Sequence, residues 1–135
     1  MKAADLMTRD VVTLAEGATL GDALATLSEH GVRHLPILRG KKPIGVISDR
    51  DLRRLEGAMA GSVGTAAPGA DLFAAPVTSI LEGVPASVLG SATVREVIDT
   101  MLEAHVGAVL VLDGRGSLVG IVSFVDVLRA ARDKF

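Results

Sequence analysis

Apolar positions change period several times along the first third of the chain. Val11-Val12-Thr13-Leu14 is an extended stretch. Leu20, Leu24 and Leu27 then recur at helical spacing as one apolar stripe, which predicts a helix from Leu20 to about His30. Gly31 stands where a glycine ends a helix. Leu35-Pro36-Ile37-Leu38 reads as a short strand, Arg39-Gly40-Lys41-Lys42 as a turn, and Ile44 to Ile47 as a second strand. A second helix is expected after Ser48. The order returns later, with strands at Ala108 to Leu112 and Leu118 to Val122 around a turn at Asp113-Gly114-Arg115-Gly116. Those strands are apolar at consecutive positions, the pattern of burial on both faces.

The recurrence is an internal repeat. Thr19-Leu20 returns 74 residues later as Thr93-Val94, and Leu24 and Leu27 return as Ile98 and Met101. Leu6-Met7 returns as Ile80-Leu81 at the same offset. The run from Gly45 to Asp51 returns as Gly120 to Asp126, 75 residues later, so the intervening turn has gained one residue. The chain divides into a first repeat, 1–56, a Gly/Ala-rich linker, 57–76, and a second repeat, 77–135. Each repeat reads strand, helix, strand, strand, helix. A small sheet with two helices cannot cover both its faces alone. The expected fold is therefore α/β (α+β), two pseudo-symmetric β-α-β-β-α repeats packed face to face. The linker reads as a loop or a loosely helical excursion.

Composition narrows the function. With 14 basic and 16 acidic residues the net charge is −2, which gives no polyelectrolyte attraction to DNA or RNA. Aromatics make up 2%, too few for stacking platforms on single-stranded nucleic acid. The lack of cysteine excludes disulfides, thiolate metal sites and a cysteine nucleophile. Met1-Lys2-Ala3-Ala4-Asp5 reaches charge at once, unlike a signal peptide. The longest weakly charged stretch, Gly57 to Leu81, holds Pro68 and Pro76 and reads poorly as a membrane span. A soluble, cytoplasmic protein with no nucleic-acid or membrane partner is expected.

Candidate chemistry gathers where strands hand over to helices. Ser48-x-x-Asp51 and Ser123-x-x-Asp126 occupy those junctions. Free N–H groups at a helix N-terminus attract anions such as phosphate, and a serine hydroxyl adds a donor. An aspartate three residues on accepts hydrogen bonds from both hydroxyls of a ribose. Gly45 and Gly120 would allow close approach to the strand backbone. The same spacing is also a capping box, in which the acidic side chain turns back to a free N–H. The chain repeats it at all four predicted helix starts: Thr19/Asp22, Ser48/Asp51, Thr93/Glu96 and Ser123/Asp126. On the residues alone both readings stand.

The copies differ in polarity. The first has Arg33 and His34 at the start of a strand and Arg50, Arg53 and Arg54 on the second helix. The second has Gly107, Ala108, Phe124 and Val125 at matching places, with Arg129 further along. Arg50 lies within the motif, in reach of a phosphate, whereas Arg53 and Arg54 also fit a solvated helix face. Phe124 fits a less charged part of a ligand or a dimer contact. His30 and His34 flank Gly31 and do not make a metal site, and His105 reads as a helix-end residue near water. Pro36 fits a strand edge kept unpaired. No catalytic residue and no metal ligand stands out.

Gly-x-x-Ser-x-x-Asp closing each copy, after Val32-Arg33-His34-Leu35-Pro36-Ile37, resembles the tandem CBS (cystathionine β-synthase) domain pair, or Bateman module. The resemblance covers both repeats. It implies a regulatory, non-catalytic module that requires no cofactor and binds AMP, ADP, ATP or S-adenosylmethionine in clefts between the repeats. It implies a ribose contact at Asp51 and Asp126. The candidate nucleotide-binding set is Ser48, Asp51, Arg50, Arg33, His34, Pro36, Ser123 and Asp126. A homodimer through exposed apolar helix surface is expected, with an effector protein on a separate polypeptide. The rival reading is a ligand-free dimerisation or docking module whose motifs are only caps; a small hydrolase or transferase comes third, for want of a nucleophile–base pair.

Overall fold

A computed structural model of the chain describes residues 1–60 and 72–135. The stretch 61–71 of the expected linker lies outside the described residues. The elements run α1 (Ala3–Leu6), β1 (Leu14–Ala15), α2 (Leu20–His30), β2 (His34–Arg39), β3 (Lys42–Ser48) and α3 (Asp49–Ala60). After a 3-10 turn at Val77–Ile80 come β4 (Ser87–Leu89), α4 (Val94–Ala104), β5 (Ala108–Leu112), β6 (Leu118–Ser123) and α5 (Phe124–Arg132). The expected β-α-β-β-α order is present twice. The strands form two three-stranded mixed sheets, ordered β1-β2-β3 and β4-β5-β6. β1 runs parallel to β2, and β4 parallel to β5, so a helix must carry each crossover. β5 and β6 are antiparallel, with Val109 opposite Val122.

Helix ends follow local chemistry. The Asp22 N–H donates to Thr19 Oγ1 at 3.1 Å and the Thr19 N–H to Asp22 Oδ2 at 2.9 Å, which satisfies two donors at the start of α2. Thr93 and Glu96 do the same for α4, at 3.3 and 3.1 Å. Gly31 ends α2 in the left-handed conformation, with φ of 61°. His105, its counterpart 74 residues on, ends α4 with φ of 54° although it carries a Cβ. It is exposed, as a helix-end residue near water should be.

Two sequence readings are corrected here. Of the extended stretch Val11–Leu14, only Leu14 joins a strand, because β1 pairs just Leu14 and Ala15 with Ile37 and Leu38. Pro36 does not mark an edge, since β2 is the middle strand of its sheet and the Pro36 ring is fully buried. β1 begins pairing at Ile37, one residue beyond the ring, so no β1–β2 pair includes the residue that lacks an N–H.

The chain forms two compact units. The first comprises Val12–Gly40 and Ile44–Gly83; the second comprises Met1–Val11, Lys41–Pro43 and Val84–Phe135. The first unit's core holds Leu20, Leu27, Leu35, Ile37, Ile47, Leu52 and Val77. The second unit's core holds Ala3, Val97, Met101, Val109, Val111 and Val122. The compact units are thus cut differently from the sequence copies. Residues that open the chain complete the core built by 84–135, and residues that open the second copy complete the core of the first unit. Equivalent hydrogen bonds hold both: Ala3 N–H to Ala92 O at 2.8 Å, and Val77 N–H to Ala18 O at 2.9 Å. Thr8 also pairs with Ile121 in both directions, at 2.9 and 3.1 Å.

Glycine makes these seats. A Cβ at Gly45 would stand 2.6 Å from Leu81 Cδ2. A Cβ at Gly120 would meet Met7 Sδ and stand 2.7 Å from Met7 Cγ. The close approach that the two glycines permit is therefore filled by the chain's own side chains.

Candidate functional site

The candidate residues of the first unit meet at the corner between β3 and α3. The Asp49 N–H donates to Arg33 O at 2.9 Å, which ties the N-terminus of α3 to the residue just before β2. The Ser48 N–H donates to Asp51 Oδ2 at 2.9 Å and the Asp51 N–H to Ser48 Oγ at 3.1 Å. The capping box is therefore formed. It engages one carboxylate oxygen only: Oδ1 of Asp51 accepts no hydrogen bond from a described residue. Ser48 and Asp51 are half-buried, at the boundary where a polar ligand can reach them.

His34 belongs to the same corner. Burial holds its pKa below the usual histidine value. Asp49 opposes this, Arg33 adds to it, and Asp51 opposes it more weakly. The imidazole is thus neutral at neutral pH and offers one donor and one acceptor. Arg33 and Arg50 are exposed. Arg53 lies 3.7 Å from Asp49 Oδ2 with its side chain 79% exposed, a pair of the kind that contributes little stability. Pro36 is set apart from these groups in accessibility, because its ring is buried.

The second unit has the matching corner between β6 and α5. The Phe124 N–H donates to Gly107 O at 2.9 Å. The Ser123 N–H donates to Asp126 Oδ2 at 2.8 Å, and the Asp126 N–H to Ser123 Oγ at 3.4 Å. Here the Ser123 hydroxyl also donates to Asp126 Oδ2, at 3.0 Å. The Ser48 hydroxyl makes no such donation to a described residue, so its proton is free for another acceptor. Gly107, Ala108 and Val125 occupy the places of Arg33, His34 and Arg50. The first corner combines an uncommitted hydroxyl, an uncommitted carboxylate oxygen and two cations; the second has the carboxylate oxygen alone.

Sequence reasoning missed the two carbonyls, Arg33 O and Gly107 O, that fix these corners, because backbone acceptors leave no mark in residue type. It also missed the seats of Met7 and Leu81. A signal was present, since Leu6-Met7 and Gly120 both belong to runs that recur in register. A pocket of about 220 Å³ opens between α2 and α3, lined by Leu24, Leu27, Ser28, Val32, Asp49, Leu52 and Arg53. Among the described residues no three His, Cys, Asp or Glu side chains gather as a metal site. Nor is any helix among them long and apolar enough to cross a membrane.

Two mixed sheets, each with a crossover helix and a capped closing helix, define an α/β protein of paired repeats. The CBS domain family matches residues 3–57 and 77–133, and the chain belongs to it as a tandem pair. A CBS domain-containing protein of Dictyostelium discoideum is 29% identical over 124 residues, which cover 91% of this chain and 86% of that protein. Two uncharacterised archaeal relatives, from Methanopyrus kandleri and Methanocaldococcus jannaschii, are 27% and 26% identical; the chain spans 58% and 47% of their lengths. The crystal structure of CBSX2 in complex with AMP superposes with a TM-score of 0.79 at 25% identity, covering 98% of this chain and 96% of that one. That of Hypoxic Response Protein I with two coordinated zinc ions gives 0.77 at 28% identity, covering 96% of this chain and 98% of that one.

Proposed function

We propose that this chain is a non-catalytic regulatory module that binds an adenosine-containing ligand and passes its occupancy to an effector protein. Repeats 1–56 and 77–135, joined by 57–76, are the two halves of that module. The observation that carries the reading is the open half of each motif carboxylate: capping uses Oδ2 and leaves Oδ1 of Asp51 and Asp126 for a ribose diol. CBSX2, of the same fold and 25% identical, binds AMP, which supports the ligand class. Arg33, His34 and Arg50 favour the first corner for the phosphate-bearing form, AMP, ADP or ATP. The second corner suits a ligand part without that charge, as in S-adenosylmethionine. Ser48 and Ser123 serve as caps and donors, not as nucleophiles. Signalling follows if the ligand prefers one arrangement of the protein over another, since it shifts an equilibrium only by that difference.

Calorimetric titration with AMP, ATP and S-adenosylmethionine tests this. Asp51→Asn keeps an oxygen for the cap but removes the charge, so it should weaken AMP binding about tenfold or more while the fold persists. A ligand at 100 times its dissociation constant should stabilise the chain by about 2.7 kcal/mol. Absence of binding and of stabilisation with all three ligands would favour the ligand-free docking module, the reading supported by the engagement of both carboxylates as caps.

A further inference from the structure

The large exposed apolar side chains include Leu102, Val106, Phe124 and Leu128, which are 67%, 39%, 43% and 61% exposed. All four lie in the second unit. α4 and α5 pack side by side. The hydrogen bond from Phe124 N–H to Gly107 O, at 2.9 Å, places the start of α5 beside Val106. Leu102 precedes Val106 by one helical turn, and Phe124 precedes Leu128 by one turn. The repeat shows that these positions converge: their counterparts in the first unit, Ser28, Val32, Asp49 and Arg53, line a single pocket. The four side chains therefore form one patch.

We infer that this patch is the seat of a second copy of the chain, which docks through the same α4/α5 face about a two-fold axis. Three observations select that occupant. The patch leaves on the order of 350–400 Å² of apolar side chain open, about half of the ~800 Å² that each partner gives to a standard interface. Polar rim supplies the rest, in the proportion such interfaces show. The rim is self-complementary. Asp99 and Glu103 are exposed on α4, and Arg129 and Arg132 on α5, so α4 of one copy against α5 of the other sets acids beside bases twice. The equivalent face of the first unit is unlike it. Ser28, Asp49 and Arg53 replace Leu102, Phe124 and Leu128, and Asp49 and Arg53 are paired at 3.7 Å. Burying that pair carries a desolvation cost that the apolar face avoids. Second-repeat face thus meets second-repeat face.

Analytical ultracentrifugation of the full chain, without ligand, tests the assignment and is independent of nucleotide binding. The parent chain should sediment as a dimer at micromolar concentration. Leu102→Asp with Leu128→Asp should raise the dimer dissociation constant about 100-fold or more, with helical circular dichroism retained. The cysteine-free chain allows a second measurement, which decides the matter if that double variant fails to fold. Oxidised Leu128→Cys should give a covalent dimer in higher yield than oxidised Arg53→Cys. A monomeric parent, a dimer indifferent to the two aspartates, or cross-linking at Arg53→Cys equal to or above that at Leu128→Cys overturns the inference.

Discussion

Alanine at Gly120 probes the least expected packing in the molecule. Its Cβ would lie 2.7 Å from Met7 Cγ and 2.9 Å from Met7 Cβ. At Gly45 the equivalent distances are 2.6, 2.9 and 3.0 Å to Leu81 Cδ2, Cδ1 and Cγ. Non-bonded carbons rest at about 3.5–4.0 Å, so each substitution demands a shift of roughly 1 Å. Neither glycine has the positive φ that would strain an alanine. Alanine in fact restricts the unfolded chain and so favours folding by about 0.4–1 kcal/mol. Overpacking costs about 1–3 kcal/mol, so the net loss should be about 0.5–2.5 kcal/mol. Gly120→Ala should fall at the upper end. Its clash reaches Met7 Cβ, which moves only with the backbone, whereas the clash at Gly45 stops at Leu81 Cγ and eases by side-chain rotation.

Urea unfolding followed by circular dichroism measures these losses, since the chain has no Trp or Tyr to report by fluorescence. The informative comparison is a double-mutant cycle. Met7→Ala should relieve Gly120→Ala by about 1 kcal/mol or more, and Leu81→Ala should relieve Gly45→Ala. Gly120→Ala as stable as the parent would refute the seat of Met7. Relief of Gly120→Ala by Leu81→Ala in place of Met7→Ala would refute the exchange of segments, because that is the pairing sequence order implies.

Two further substitutions follow from local geometry. His105→Gly should raise stability by about 0.5–1 kcal/mol, because His105 holds a left-handed φ of 54° that glycine adopts freely; a loss in urea midpoint would contradict this. His34 is held below its unfolded pKa by burial, so over the interval between the two values the unfolded chain binds a proton that the folded chain does not. Its contribution is intact above the unfolded value and is lost as pH falls through it. Unfolding measured from about pH 7 to about pH 5 should therefore show a decline that is shallower in His34→Asn, and equal slopes would argue against a buried imidazole.

What could be read from the sequence was local in range. Leu20–His30, its stop at Gly31 and the strand Ala108–Leu112 come out at their expected limits, because stripes, caps and consecutive apolar runs act within a few residues. His105 resisted such reading: nothing in its side chain announces a left-handed cap, and the fold imposes one where the first copy spends a glycine. The exchange of segments resisted it for a deeper reason. In a duplicated chain Met7 and Leu81 are equivalent, as are Gly45 and Gly120, so an apolar side chain fits a glycine seat in either pairing. Hydrophobicity and size do not distinguish the two assignments; only the path of the connecting backbone does.

The site was legible as a pair of alternatives that are not exclusive. Ser-x-x-Asp was weighed as a cap against a ligand contact, as if one carboxylate had one use. A carboxylate has two oxygens, and each motif commits Oδ2 to its helix while Oδ1 faces no described donor. Capping then becomes a condition for binding, because it fixes the rotamer and so the direction of the second oxygen. That argues for Asn over Ala as the test at position 51. Alanine would release the helix start together with the ligand contact, whereas asparagine separates the two.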